Sequence, residues 1–442
     1  MVKRLLITPF QKFVRIESFS GILLFGVTIL ALIWANSSFR DTYHAIWQFK
    51  LGISAEHFEF SKPLILWIND GLMAIFFFLI GLEIKRELLI GELNSLKKAA
   101  FPLFAAVGGM LVPIAFFFLL NRDPGTRNAW GISMATDIAF SLAIITLLGK
   151  RVPLSLKIFL TAFAIVDDLG AVMVIAIFYS SSIKWMLLIY AVILLIILYI
   201  LAYRAIHAKY LILAFGIVIW FLFLKAGIHP TIAGVLLAFA VPIRQKIDIK
   251  TYSDRLCQLS DKIKAAADND KPILTNEQIE ELDNLEDWTS LVQSPLQQLE
   301  HKLHNWVAFL IMPLFALSNS GVAFSGELGL DTRLSSTIAI SLVAGKFFGI
   351  FLMSWLGVKL RLAELPAGVN YWQVVGIALL AGVGFTMSIF IANLAFPDNV
   401  ALLDSAKVGI LIGSFVAGVA GYFVLRLSCT KQVEDEGIPV PR

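Results

Sequence analysis

Apolar runs of about 20 residues recur along this 442-residue chain, and as helices rising about 1.5 Å per residue they span a hydrocarbon core of roughly 30 Å. Inside hydrocarbon every backbone N–H and C=O needs a partner within the protein, and a helix supplies these from its own segment. Bounded by Gly, Pro and charged breaks, the runs place about twelve helices near 17–36, 64–84, 99–120, 128–149, 156–180, 183–203, 210–225, 228–243, 304–322, 335–358, 371–394 and 403–426. A β-barrel would need shorter alternating segments. At 58% hydrophobic, 15% charged and a mean hydropathy of +0.81, the chain has too little polar surface to cover a soluble core. The expected fold class is an all-α polytopic membrane protein, with lipid as its surroundings. The formal charge of +4 carries no basic stripe, so nucleic acid is not an expected partner.

The basic N-terminus, MVKRLLITPFQKFVR, leads into an apolar stretch at about 19–35 that resembles a signal sequence. Further spans and the lack of a small-x-small cleavage site favour a retained first helix. Lys85, Arg86, Lys97, Lys98, Lys150, Arg151, Arg204 and Lys209 fall in segments on the same side as that N-terminus, whereas Arg40, Lys50, Lys62, Arg122, Arg127 and Lys407 fall in opposite loops. The bias places both termini in the cytoplasm. Cys257 and Cys429 then lie on the reducing side, and no structural disulfide is expected. The chain divides into spans one to eight at 1–243, a cytoplasmic polar insertion at 244–303, spans nine to twelve at 304–427 and a cytoplasmic tail at 428–442.

Two loops have their own pattern. Trp47, Phe49, Leu51 and Ile53 alternate with other residues, and Phe58 and Phe60 do the same after a break, which reads as an external β-hairpin within 43–60. Its edge offers pairing with a second copy, a homodimer, or the hairpin lies flat on its own protein. In the insertion, Thr275 and Gln278 have capping-box spacing, and Trp288, Leu291, Val292, Leu296, Leu299 and Leu303 fall at helical spacing despite Pro295. That pattern predicts a cytoplasmic helix running into the ninth span.

Chemistry concentrates on charges in the middle of spans. Asp137 sits within GISMATDIAFSLAIITLLG, Asp167 and Asp168 within LKIFLTAFAIVDDLGAVMVIAIF, and Lys346 within TIAISLVAGKFFGIFLMSWLG. A charge at a helix centre costs about 2.5–3.5 kcal/mol on insertion scales, so such residues face a cavity or a partner. Neighbouring residues on a helix point about 100° apart. Asp167 and Asp168 therefore face different surroundings, one meeting Lys346 and the other an ion. A structural salt bridge accounts for Lys346 and one aspartate but leaves Asp137 and the second aspartate over. With Thr136 the carboxylates offer hard oxygen ligands for Na⁺ or Li⁺, and the same oxygens hold protons instead.

The fourth span has Thr136 and Asp137 after small residues, and the eleventh has Gly382 and Gly384 followed by Thr386 and Ser388. Paired interruptions in two halves mark spans whose half-helix ends meet at mid-membrane. Asp137 would then compensate positive N-terminal ends and Lys346 negative C-terminal ends.

The stretches WINDGLMAIFFFLIGLEIKREL, ATDIAFSLA, AIVDDLGAV, KAGIHPTIAGV, LEHKLHNWVAFLIMPLFALSNSGV, AGKFFGI and GVGFTMSIFIANLAF, together and in this order, resemble the NhaA-type sodium/proton antiporter family. The resemblance covers most of the chain. It implies crossed discontinuous helices four and eleven and two inverted three-helix repeats, about 99–180 and 335–426, a known property of that family rather than a reading of spacing. It implies Asp168 as the principal cation- and proton-binding aspartate, Asp167 as the alternating partner of Lys346, and Thr136 and Asp137 as the broken-helix pair. It further implies electrogenic exchange of more than one proton per sodium, no cofactor, and a bacterial inner membrane. Glu83, Arg86, Glu87, Glu300, His301 and His304 resemble the family's pH-response region, although helix-end ion pairing explains such a cluster equally well. Asp70, at the outer end of the second span, is a candidate pathway residue, and His229 a structural histidine at a helix start. The 244–303 insertion is longer than the family pattern and lies beside Glu300 and His304.

Other classes fit less well. An intramembrane aspartyl protease would carry Gly-x-Gly-Asp and a prenyltransferase DDxxD, whereas DDLGA and NDGLM carry neither. A sodium-coupled solute symporter of similar fold is the closer alternative, but it has no evident need for Lys346 opposite an aspartate pair. A channel would show a repeated pore loop or charged ring.

Overall fold

Each apolar run is helical in the structure, a computed structural model that describes residues 9–55, 58–180, 183–204, 209–245, 247–265, 275–323 and 330–429. The first eight residues of the basic N-terminus, residues 266–274 of the insertion and the tail from 430 onward lie outside the described residues. Helices α1 (Pro9–Ala35) and α2 (Arg40–Gln48) precede strands β1 (Lys50–Ala55) and β2 (Phe58–Pro63). Then come α3 (Leu64–Ile90), α4 (Leu96–Leu120), a 3₁₀ segment Pro124–Met134, α5 (Ile138–Leu147), α6 (Leu154–Phe178), α7 (Trp185–Tyr203), α8 (Lys209–Ala226) and α9 (Thr231–Ala240). The second part has α10 (Ile249–Ala265), α11 (Asn276–Val292), α12 (295–319), α13 (Thr332–Lys359), α14 (Tyr371–Leu380), α15 (Phe385–Ala395) and α16 (Val400–Ser428).

Among the described residues, α3, α4, α6, α7, α13 and α16 are each long and apolar enough to cross a membrane. The 3₁₀ segment with α5, bent by 49°, and α14 with α15, bent by 44°, pass the same test only as pairs. These are the interrupted fourth and eleventh spans. Caps fix where several helices begin. Asp331 accepts from Arg333 N and Leu334 N at 3.0 Å to open α13, Asn370 and Gln373 form a capping box on α14, and Asn399 caps α16.

The α4–α5–α6 and α13–α15–α16 groups each have a long helix, a broken span and a long helix. Their first members pack on each other through Gly108 and Gly349, where each glycine's carbonyl occupies the space a Cβ on the other would need. Gly345 likewise abuts Pro113. Small residues also let the backbones approach, which is how helices adhere where lipid removes the hydrophobic drive. Two apolar clusters complete the packing, one holding Phe77, Phe315 and Phe390, the other Phe101, Phe163 and Ile350.

The structure alters four expectations. The hairpin pairs Lys50 with Pro63 through Ala55 with Phe58, so it spans 50–63, and residues 43–48 belong to α2 rather than to a strand. Tyr43 and Trp47, four apart, are the buried face of that helix, and Tyr43 fastens it by donating to Leu317 O at 2.7 Å. The helix that runs into the ninth span begins at Pro295, so Leu296, Leu299 and Leu303 belong to it whereas Trp288, Leu291 and Val292 belong to α11. Ser294 and Pro295 start α12 afresh, since a proline without an N–H fits the first turn and not the interior. Before it α10 and α11 form an antiparallel pair, with Tyr252 Oη 2.9 Å from Thr289 Oγ1 and Arg255 over the Trp288 ring; the Thr275–Gln278 capping box is present. Finally, Lys407 lies within α16, buried 3.9 Å from Asp404, rather than in a loop, because the Asn399 cap starts the helix at Val400.

Candidate functional site

The two interrupted spans cross at their breaks. Ala135 to Asp137 and Ala381 to Gly384 leave the helical path, which frees the backbone groups on either side. Those groups are satisfied across the crossing. Thr136 Oγ1 donates to Ala381 O at 3.0 Å, Ser141 Oγ to Leu380 O at 3.0 Å, Asp137 N to Val383 O at 2.7 Å and Ser388 Oγ to Ile132 O at 2.8 Å. A glycine is required at 384, because a Cβ there would strike Ser388 Oγ and come within 2.9 Å of Ala135 O. The sequence TD…GVGFTMS thus writes a pair of polar breaks that bond to each other.

Asp137, 2% exposed, caps two helices at once. Oδ1 accepts from Phe140 N at 3.1 Å at the start of α5, and Oδ2 accepts from Thr386 N at 3.1 Å and Thr386 Oγ1 at 2.5 Å at the start of α15. Each helix N-terminus carries about +0.5 elementary charge. One carboxylate therefore balances the two ends.

On α6 the aspartate pair divides as the 100° step demands. Asp167 meets Lys346, whose Nζ donates to Oδ2 at 2.9 Å and Oδ1 at 3.1 Å, with Lys346 fully buried and 5.8 Å from the Phe163 ring centre. Thr136 also lies beside the Asp167 carboxylate. Lys346 follows a π-helical turn, Ser341–Gly345, a local irregularity often found where a helix serves a site. Asp168 is 7% exposed and, among the described residues, receives no hydrogen bond. It faces a cavity of about 40 Å³ shared with Ser20, Glu83, Thr136, Asp137 and Thr386, space for a few water-sized bodies. With Asp168 ionised, the Asp167, Asp168 and Lys346 group carries a net charge of −1 and has free carboxylate oxygens.

Most of the remaining candidates cluster at the other end of that cavity's wall. Arg86 Nε is 3.1 Å from Glu300 Oε1, Arg86 Nη2 is 3.1 Å from Glu87 Oε1, and His304 Nδ1 is 3.9 Å from Glu83 Oε1. His301, next to Glu300, is exposed. Burial holds the Glu300 carboxyl above the ordinary glutamate range, with the Arg86 charge pulling it back and Glu87 pushing it up. Asp70 is remote from this cluster. In a π-helical turn near the start of α3 it sits 2.8 Å from Lys62 Nζ and 3.6 Å from His229 Nε2, while His229 Nδ1 contacts Thr231 Oγ1 at 2.8 Å at the start of α9.

Several participants escaped the sequence reading. Thr386 and Ser388 were noted as residues following a break, but their bonding to Asp137 and Ile132 depends on how the spans cross. Ser414 Oγ accepts from Phe385 N at 3.2 Å, and a serine in a span carries no distinctive signal. Asn69, Asn319 and Asn393 bond one another at 2.9–3.3 Å across α3, α12 and α15; the amides inside WINDG, ALSNS and FIANL were the available clue.

Known proteins similar to this chain are named as sodium/proton antiporters. Curated relatives named Na(+)/H(+) antiporter NhaA include one from Oleidesulfovibrio alaskensis, 48% identical over 96% of this chain and 94% of its own length. Another from Bacteroides fragilis is 46% identical over 92% and 94%, and one from Helicobacter pylori 43% identical over 94% of each. A solved structure, the sodium proton antiporter MjNhaP1 from Methanocaldococcus jannaschii, aligns over 95% of this chain and 98% of its own with a TM-score of 0.48 and 14% identity, too distant to argue from. The family model described as Na+/H+ antiporter 1 matches residues 11–425, and with relatives of this identity and coverage the chain belongs to that family.

Proposed function

We propose that this protein is a secondary active transporter that expels Na⁺, or Li⁺, in exchange for protons, by alternating access to Asp168. The observation that carries the reading is the buried Asp168 carboxylate, which faces a small cavity, receives no hydrogen bond among the described residues and stands beside a lysine-paired Asp167. A carboxylate in that position must take up a proton or a cation. The two compete for one set of oxygens, and that competition is exchange.

Charge accounting supports electrogenicity. With Asp168 protonated and Lys346 paired to Asp167, the group is neutral. A sodium ion bridging both aspartates displaces the Asp168 proton and, by taking Asp167 from its partner, the Lys346 proton. One positive charge enters and two leave, so each cycle moves about one net charge. Asp137 takes no part in that count, because it is balanced by the two helix ends.

The repeat pair at about 99–180 and 335–426 rocks against the remaining helices, so that the cavity opens alternately to either side. The protein resides in the bacterial inner membrane with both termini cytoplasmic, as the lysine and arginine bias favours. The β1–β2 hairpin joins two copies, since an isolated two-stranded hairpin is marginal without a further partner. The Glu83, Arg86, Glu87, Glu300, His301 and His304 cluster tunes activity with pH.

Everted vesicles carrying an imposed pH gradient test the core claim. Adding Na⁺ or Li⁺ should release protons with wild-type protein and not with Asp168→Asn. Equal release by both would remove Asp168 from the site.

A further inference from the structure

A second cavity has a different character. About 660 Å³ in volume, it runs as an open groove between α1 and α16, with α5 and the first turn of α15 as its floor. Its rim residues Ile22, Phe25, Ile29, Phe415, Val419 and Phe423 are all 41–65% exposed and all apolar. Two hydroxyls in its wall are used within the protein, Thr28 donating to Leu24 O at 2.7 Å and Ser414 accepting from Phe385 N at 3.2 Å, and the third, of Tyr422, lies at the end nearest Arg426. The rest of the lining carries no polar side chain.

We propose that one acyl chain of a bilayer phospholipid occupies this groove, its tail ending on Phe140 and Phe385 and its headgroup near Arg426. Three features select that occupant. From Leu411 to Phe423 the groove extends along α16 for about 18 Å at 1.5 Å per residue, close to half of a hydrocarbon core of roughly 30 Å. That is the depth of one leaflet. Its deep end is lined by aromatic rings, with Phe140 and Phe385 5.1 Å apart and Phe25 against Phe140 at 6.0 Å, and its one polar side chain there, Ser414, is bonded to Phe385 N. Its shallow end leads to the exposed Arg426, one helical turn beyond Tyr422 on the same face, where a cation meets a lipid phosphate. Apolar at one end and basic at the other, the groove has the polarity of a lipid and not of a neighbouring helix.

The position gives the occupant a route to the site. Phe385 is the first residue of α15, and the next, Thr386, holds Asp137. A chain seated on Phe385 therefore touches the crossing from the lipid side, opposite the Asp168 cavity.

Photolabelling of the full-length protein in liposomes tests this without relying on exchange. One phospholipid probe carries a diazirine at the acyl terminus and another near the acyl carbonyl, and labelled peptides are mapped by mass spectrometry. The terminal probe should label the Phe140 and Phe385 segments, and the other probe residues 419–427. Val419→Trp, and Ile29→Trp on the opposite wall, should each lower groove labelling about fivefold, a loss of about 1 kcal/mol, while labelling of the exposed Ile189 and Ile193 on α7 stays constant. Groove labelling no stronger than on α7 would mean ordinary boundary lipid and overturn the proposal. So would efficient cross-linking between copies through a cysteine at 419 with lipid labelling absent, which would make a second copy the occupant.

Discussion

Replacing Asp137 with alanine is the severest test of how the crossing is held. The substitution removes an acceptor from two amides, Phe140 N and Thr386 N, and from one hydroxyl, Thr386 Oγ1. The hydroxyl can turn to another acceptor, but each orphaned buried amide costs about 1–3 kcal/mol. Losing the negative charge beside two helix N-termini adds about 0.3–1 kcal/mol for each. The sum is about 3–8 kcal/mol, a large share of a typical folding free energy of about 5–15 kcal/mol. An unfolding entropy of about 2.1 cal/mol/K per residue, applied to 442 residues, converts this to a fall in Tm of about 3–9 °C. Thermal unfolding of purified protein in mild detergent measures it. Asp137→Asn keeps one oxygen for Phe140 N but presents amide hydrogens to Thr386, so its loss should be about half as large. Thr386→Val, which removes only the hydroxyl, should cost less than either. Should Asp137→Ala melt within about 1 °C of wild type, or Thr386→Val match it, the assignment of Asp137 as a double cap would be wrong.

Lys346→Met leaves Asp167 buried without its partner, a loss of about 3–5 kcal/mol, and adding Asp167→Asn should restore most of it; a double variant no more stable than the single one would reject the ion pair as the source. For Glu300, burial places deprotonation above the ordinary glutamate range, so the carboxylate facing Arg86 and Glu87 is lost early as pH falls and regained as it rises. Glu300→Gln imitates the acid form and should move the rising limb of exchange activity toward alkaline pH, whereas superimposable profiles would exclude a role in pH response. Excision of the hairpin is practicable because Leu64 N already bonds Phe49 O at 2.9 Å, which closes its base. Light scattering should report a dimer for the full chain and a monomer for the variant lacking 50–63, and equal masses for the two would remove the hairpin from any dimer contact.

What the sequence reveals depends on how local each signal is. Helix positions were legible because twenty apolar residues admit one solution in lipid, and the breaks were legible because Gly and Asp interrupt otherwise apolar spans. The α2 segment was misread because Trp47, Phe49 and Leu51 alternate as a strand would, while the competing four-residue spacing of Tyr43 and Trp47 gains meaning only when that face is seen docked on α12. The 100° step separated Asp167 from Asp168 without saying which meets Lys346. That choice depends on the rotation of α6 against α13, set by distant packing. Thr386 was invisible as a partner of Asp137 for a similar reason, since the two are brought together only by the crossing of separate spans.

The two halves explain why the charges occur once. Gly108 and Gly349 meet where α4 and α13 cross, and that crossing point serves as the common reference for positions on the two helices. Three residues earlier stand Ala105 in one half and Lys346 in the other, both fully buried. Counted from the first residues of α6 and α16, Leu154 and Val400, the positions of Asp167 and Asp168 are those of Gly413 and Ser414. Gly413 approaches so near to α13 that a Cβ would lie 3.1 Å from Ala339 Cα, and Ser414 serves as an acceptor for Phe385 N. Thus the scaffold is duplicated while its chemistry is not: a third helix from the first half brings two acids to a lysine on the first helix of the second, whereas the matching positions hold a glycine and a serine on α16 and an alanine on α4. A second charged set would add another cavity's burial cost at each mid-membrane position. In the exchange proposed above, a single set would leave one carboxylate pair to serve both faces of the membrane in turn, with proton and cation competing for it.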